Sequence, residues 1–245
     1  VATSVSPQGY GDRQFAMDTV FSNKRIREDD KMYQISVWRR IDLREKYNLS
    51  LYGAGDSRSN GIINNIYKAV VDENALEVFA DEQFTKPLSI AEFQENFWLS
   101  ANGDSIFVKQ LYYLDFKEDF VFDRHHSDLV FDIKFIELVM PSVTNANAGQ
   151  KTVAYVRYKD FVNYFKNHPE ARWLNFQNIS KSLTYDEAFE SRLFRSVVRK
   201  FTNPDEALIA DLVRADNTNP EMQAYIDALA FEYKLLEFEN SLWEW

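Results

Sequence analysis

The residues with chemistry to offer are few, and their spacing serves it badly. "GAG" at 53–55, followed by "DSRSNG", invites a phosphate-loop reading. The spacing is neither G-x-G-x-x-G nor G-x-x-x-x-G-K-[ST], and no Lys-Ser or Lys-Thr pair follows. Gly55-Asp56-Ser57 has the form of an esterase nucleophile block. A hydrolase centred on Ser57 needs a histidine base within hydrogen-bond reach, itself oriented by an acid. The chain has three histidines. His125 and His126 share a polar loop with Asp123 and Asp128, while "NHPEA" puts His168 at a helix end. Neighbouring side chains on an extended segment point to opposite faces, so His125 and His126 would chelate a metal poorly. Cysteine is absent, which excludes thiol nucleophiles, zinc thiolate sites and disulfides. No catalytic residue, metal ligand or cofactor is expected.

A net charge of −10 works against nucleic acid, whose phosphates would be repelled. "VAYVRYKDFVNYF" has the aromatic strand of an RNA binder but lacks the glycines of that motif. No run approaches the roughly 20 apolar residues of a membrane span. The opening "VATSVSPQGYGDRQ" has neither a basic start nor an apolar block, so no leader is expected in it, and the Val start fits a trimmed form. Charge is unevenly placed. Residues 1–50 hold nine Lys and Arg against seven Asp and Glu, whereas residues 202–245 hold two against ten. Unlike ends of neighbouring copies would attract.

The elements that must position any site follow from pattern. With 245 residues, 45% of them apolar and only seven Gly, the chain can bury a large core without staples. Residues 1–28 are polar and aperiodic and read as an extended N-terminal arm. Residues 29–245 read as a single domain, with a helical sub-lobe over 202–245. Asp29 or Asp30 is expected to cap a helix running to about Glu45. A loop over 53–61, a helix over about 61–72 and a short strand "ALEVFA" (75–80) follow. Ser89 with Glu92, and Thr184 with Glu187, have capping-box spacing and open helices to about Trp98 and Arg192. "SIFVKQLYYLDF", "SDLVFDIKFIELVM" and "KTVAYVRY" read as strands, and "DFVNYFKNH" as a helix. "LFRSVVRKF" reads as a strand, followed by helices over about 205–214 and, from Pro220, about 220–241. The class is α+β, with antiparallel strands in the middle of the chain flanked by helices.

Two helices in this reading carry more apolar surface than one core needs. Over 30–45, Tyr33, Val37, Trp38 and Ile41 form one stripe, and Met32, Ile35 and Leu43 with Arg39 form another. Over 220–241, Met222, Tyr225, Ile226, Leu229, Tyr233 and Leu236 oppose Ala224, Phe231, Leu235 and Phe238. One stripe would serve the core and one a partner. The residues expected at such an interface are Met32, Ile35, Trp38, Arg39, Arg40, Leu43, Arg44, Phe231, Leu235 and Phe238. The twenty Phe leave a third reading open, a carrier with an aromatic pocket for an apolar ligand.

The run "IREDDKMYQISVWRRIDLREKYN" (26–48) resembles the N-terminal signature of the GldN/PorN family. The pattern I-R-E-x-D-x-M-[WY]-x-x-x-V-W-x-x-I-D-x-x-E-K-x-N is matched at Ile26, Arg27, Glu28, Asp30, Met32, Tyr33, Val37, Trp38, Ile41, Asp42, Glu45, Lys46 and Asn48. Lesser resemblances follow in "ADEQFTKPLS", at Pro169, Glu170, Ala171 and Arg172, at Arg192, Phe194 and Ser196, and in the closing "LWEW". Arg25 departs from a usual Pro, and the loop after "LY" is Gly/Ser-rich where the family's is Pro-rich. The resemblance implies a non-enzymatic periplasmic component of the type IX secretion and gliding machinery of Bacteroidetes. It implies a ring with an outer-membrane lipoprotein of the GldK/PorK type, which would hold the chain peripheral to that membrane. It also implies contact with the periplasmic domain of a GldM/PorM type motor protein, and with copies of itself. In a ring, one patch meets a different patch on the next subunit.

Overall fold

The computed structural model describes residues 22, 24, 26–53, 61–99, 110–141, 149–168, 171–173, 175, 183–213 and 218–242. Its centre is a five-stranded sheet in which every neighbouring pair is antiparallel, in the order β4-β3-β2-β1-β7. The strands are β1 (Lys31–Asp42), β2 (Tyr113–Asp123), β3 (Asp128–Met140), β4 (Lys151–Arg157) and β7 (Val197–Phe201). A two-stranded ribbon, β5 (Arg172–Trp173) with β6 (Leu183–Thr184), lies apart from it. The helices are α1 (Leu49–Tyr52), α2 (Ile62–Val71), α3 (Ile90–Trp98), α4 (Tyr158–Phe165), α5 (Tyr185–Glu190), α6 (Ile209–Leu212) and α7 (Pro220–Leu242). The class is α+β, as expected.

Three expectations fail locally. The helix expected over 29–45 is strand β1, paired along its length with β2. Its two opposed apolar stripes are the trace of alternation read at the wrong period. The strand expected at "SIFVKQLYYLDF" begins only at Tyr113 and runs on through the acidic "KEDFVFD", while residues 105–109 lie outside the described set. "ALEVFA" forms no strand. Phe79 makes isolated bridges to Pro87 and Tyr155. Of the expected arm, only Ser22, Lys24 and Ile26–Glu28 are described.

Other elements start where local chemistry directs. At α3, Ser89 accepts from the Glu92 N–H while the Glu92 carboxylate accepts from the Ser89 N–H, and the same box opens α5 at Thr184 and Glu187. Gly61 precedes α2 at φ +78, and a Cβ there would sit 2.4 Å from the Tyr52 carbonyl oxygen. Only glycine fits both the backbone angle and the space.

Register puts Ile35, Val37, Arg39 and Ile41 on one face of β1, opposite Phe120, Glu118, Phe116 and Leu114 of β2. All helices that pack on the sheet use this inner face. At one end it meets α2–α5 through a core that includes Ile41, Phe116, Ile136, Phe93, Phe97 and Phe161. At the other end Val37 and Val198 meet Ile209 of α6 and Ala228 of α7. Many of the described phenylalanines are spent on this packing, with ring centroids such as Phe161–Phe165 at 4.5 Å and Phe93–Phe97 at 5.6 Å. Gly61→Ala is expected to lower unfolding free energy by about 2 kcal/mol, read from the midpoint of urea denaturation. An unchanged midpoint would mean that the close approach to Tyr52 is not maintained.

Candidate functional site

Between the two apolar ends of the inner face lies a buried charge cluster. Glu118, its side chain 1% exposed, accepts from Arg39 Nε at 2.6 Å and from Arg192 Nη1 and Nη2 at 2.6 and 3.1 Å. Arg39 also donates through Nη1 to Glu232 of α7 at 2.5 Å. A carboxylate so deep in the fold is stable only when both oxygens are met by opposite charge. Here β1 and the end of α5 supply the cations that β2 requires, and Glu232 of α7 joins the cluster through Arg39.

Arg192 is held in an unusual backbone. Its φ is +52, directly after the C-cap of α5, where Leu193 N–H reaches the Ala188 carbonyl at 2.9 Å and Arg192 N–H the Phe189 carbonyl at 3.0 Å. This is the helix stop that normally carries glycine. An arginine occupies it because the guanidinium is needed on Glu118, and the same group lies 4.4 Å from the centre of the Phe131 ring.

Helix α7 crosses this end of the sheet. Phe231 stacks on Phe201 at 4.3 Å, Phe238 meets Tyr33 at 4.5 Å, and Ala228 and Leu235 are buried. The opposite stripe faces outward, with Met222 54%, Ile226 49%, Tyr233 66% and Leu236 53% exposed. Beneath its edge, between α7 and the sheet, runs an open groove lined by Phe120, Phe131, Arg192, Leu235 and Glu239.

The structure scatters the residues expected at an interface. Leu43 is fully buried, and Ile35, Phe231, Leu235 and Phe238 pack inside the α7 contact. Arg39 is enclosed in the ion cluster. Arg40 pairs with both oxygens of Asp115 at 2.6 and 2.7 Å on the outer face. Charge reversal at Arg39 or Arg40 would therefore strike the fold itself. Arg44 pairs with Asp42 at 2.7 Å and covers the Tyr112 ring at 3.5 Å, with about half of its side chain still reaching solvent. Met32 is exposed. Trp38, half-buried on the outer face, lies between Lys117 and Lys200, each ammonium 4.6 Å from the ring centre. The stripe left free on α7 is thus the one opposite Phe231, Leu235 and Phe238, the residues expected at the interface. Its spacing was visible in the sequence; its orientation was not.

The chemical candidates are not brought together. Ser57 lies outside the described residues. His125 and His126 occupy the turn between β2 and β3, where Asp123 holds His126 Nδ1 at 2.6 Å and so raises its basicity. His168 stacks on Tyr164 after α4. Among the described residues no three His, Cys, Asp or Glu side chains are placed to share a metal, and no helix is long and apolar enough to cross a membrane. On the outer face, burial pushes the Glu137 carboxyl up to about 7, with Asp115 adding to the effect and the Thr152 hydroxyl, donating at 2.6 Å, opposing it.

The first motif of the sequence now has a physical account. Val37 and Ile41 fill the inner face, and the fully buried Asn48 ties the chain after β1 to the approach of β7. Its amide donates to the Asp42 and Arg195 carbonyls at 2.8 and 2.9 Å and its oxygen accepts from Arg195 N–H at 2.8 Å. That motif opens a longer match, since the family model for gliding motility associated protein GldN covers residues 26–244. The chain belongs to the GldN family. It is therefore a gliding motility associated protein. Comparison with curated proteins gives no match.

Two measurements check the site of this GldN-family chain. Arg39→Met leaves Glu118 with one cation and is expected to cost about 3 kcal/mol of unfolding free energy. Stability equal to wild type would show that Arg192 alone suffices. Glu137 binds its proton more tightly folded than unfolded, so stability should fall as pH rises from about 4.5 to about 7 and level off above. In Glu137→Gln that component vanishes. The difference in stability between the two proteins should therefore grow in the variant's favour across the same window, by chemical denaturation at stepped pH.

Proposed function

We propose that this chain is a non-enzymatic structural subunit of the type IX protein secretion and gliding machinery, working in the periplasm. In this reading it forms a ring with an outer-membrane lipoprotein of the GldK/PorK type and contacts the periplasmic domain of a GldM/PorM type motor protein. The observation that carries it is the apolar stripe left outside on α7 in a chain of a gliding-motility family. Several hundred Å² of contiguous apolar surface marks a contact site on a soluble protein. The uneven charge of the sequence supports it further. One acid of the negative C-terminal segment, Glu232, is already taken by Arg39, and the other acids of α7 remain on its surface for partners.

The test is genetic and biochemical. Deleting the gene is expected to abolish both gliding and export of secreted proteins, and a plasmid copy carrying Ser57→Ala is expected to restore both. Affinity purification of the tagged chain from solubilised envelopes should bring down the lipoprotein in large particles visible by electron microscopy. Normal export in the deletion strain, failure of Ser57→Ala to restore it, or recovery of the tagged chain as a free monomer would overturn the proposal.

A further inference from the structure

The outward stripe of α7 is not a random scatter of apolar side chains. Met222, Ile226, Leu229, Tyr233 and Leu236 follow one another at intervals of four, three, four and three residues. That is the 3.5-residue repeat of a coiled-coil seam, with Ile226 and Tyr233 at position a and Met222, Leu229 and Leu236 at position d. Asn240, exposed, falls on the next a position, the place where a polar residue sets register. A helix of 23 residues spans about 35 Å, long enough to carry three such turns of the seam. The inward side of the same helix is already occupied by Phe201 and Tyr33 of the sheet. Four of the five seam residues are exposed and Leu229 is half-buried, so the seam takes little part in holding the chain's own fold.

The flanks name the occupant. Positions e and g along the seam are Gln223, Ala230 and Glu237 on one side and Tyr225, Glu232 and Glu239 on the other. Neither flank carries a cation. A second copy of α7 would offer these carboxylates no cation in either orientation. In a parallel pair Glu237 faces Glu232 of the other helix, whose charge Arg39 already answers; in an antiparallel pair e faces e and g faces g, and neither flank has a Lys or Arg to give. We infer that the outer face of α7 is a helix-docking seam for an amphipathic helix of a different protein, apolar at its a and d positions and flanked by lysine or arginine. This rests on the reading of the chain as an assembly subunit and adds the chemistry of one partner. Van der Waals packing of the apolar knobs would supply the affinity, and the carboxylates would supply partner choice.

The full chain can be titrated against two fluorescent peptides, each about four heptads long so that it holds a helix. Both carry Ile and Leu at a and d; one has Lys at e and g, the other Glu. The Lys-flanked peptide is expected to bind at least tenfold more tightly by fluorescence anisotropy, and to weaken as salt is raised. Ile226→Asp with Tyr233→Asp should remove binding, while circular dichroism stays as in wild type because both side chains are exposed. Glu237→Lys with Glu239→Lys, which leaves the Glu232–Arg39 pair alone, should reverse the preference between the peptides. Equal affinity for the two peptides, no binding of either, or binding that survives the aspartate pair would overturn the inference. So would a wild-type dimer in sedimentation that Ile226→Asp disperses, since a second copy would then hold the seam. Failure of the peptides alongside loss of gliding on deletion would remove the seam and leave the assembly role intact.

Discussion

The structure depends on a carboxylate that has no business in an apolar layer unless it is answered from several directions. Glu118 stands mid-sheet, and its two oxygens are met by Arg39 from the neighbouring strand and Arg192 from the end of a helix. The cluster divides the inner face into two hydrophobic ends and orients both. On one side the aromatic-rich core of α2–α5 closes over β1–β4. On the other, Glu232 extends the cluster onto α7 and places that helix over Val37, Val198 and Phe201. Removing one partner from such a group costs far more than a surface ion pair would, because the remaining charge stays desolvated. The left-handed backbone at Arg192 is tolerated for the same reason. A glycine would relax the turn and lose the cation.

This arrangement also explains how α7 is apolar on two sides without being buried. Its inward stripe has the sheet as a partner, and stacking of Phe231 on Phe201 with the Phe238–Tyr33 contact settles which stripe that is. The other stripe stays outside, with Met222, Ile226, Tyr233 and Leu236 exposed. The outer face of the sheet is different in kind. Over β1 and β2, Trp38 between two lysines, Arg40 on Asp115 and the Gln34–Asp119 and Ser36–Asp119 hydrogen bonds at 2.8 and 2.5 Å make it a polar layer whose charges are answered within it. The spare greasy surface thus sits on the helical side, at the end of the sheet where the last helix lies.

Much of the fold was legible because short-range chemistry decides it. Ser89 with Glu92 and Thr184 with Glu187 satisfy N–H groups within one turn, so their helices begin where the spacing says. Pro220 opens α7, and "FDIKFIELVM" and "KTVAYVR" hold strands whose β-branched and aromatic content is continuous. The misses in β1 and β2 share one cause. In β1 the alternation of Ile35, Val37 and Ile41 is interrupted at the inward-facing Arg39. In β2 it is broken by Glu118 and Asp119. A charge in the middle of a strand reads as solvent exposure, and the partner that neutralises it lies 74 to 193 residues away in the sequence.

The sequence by itself determined the class, the starts of α3, α5 and α7, the family and the fact that α7 has two apolar stripes. Each of these follows from residues within a turn or a heptad of one another, or from a contiguous motif. Tertiary structure decided that residues 31–42 are a strand, that Arg39 meets its carboxylate on the inner face and Arg40 on the outer one, and which stripe of α7 faces out. Those outcomes are set by contacts across the sheet, where a buried charge must meet its opposite and an aromatic ring must find another ring. No local pattern contains both members of such a pair.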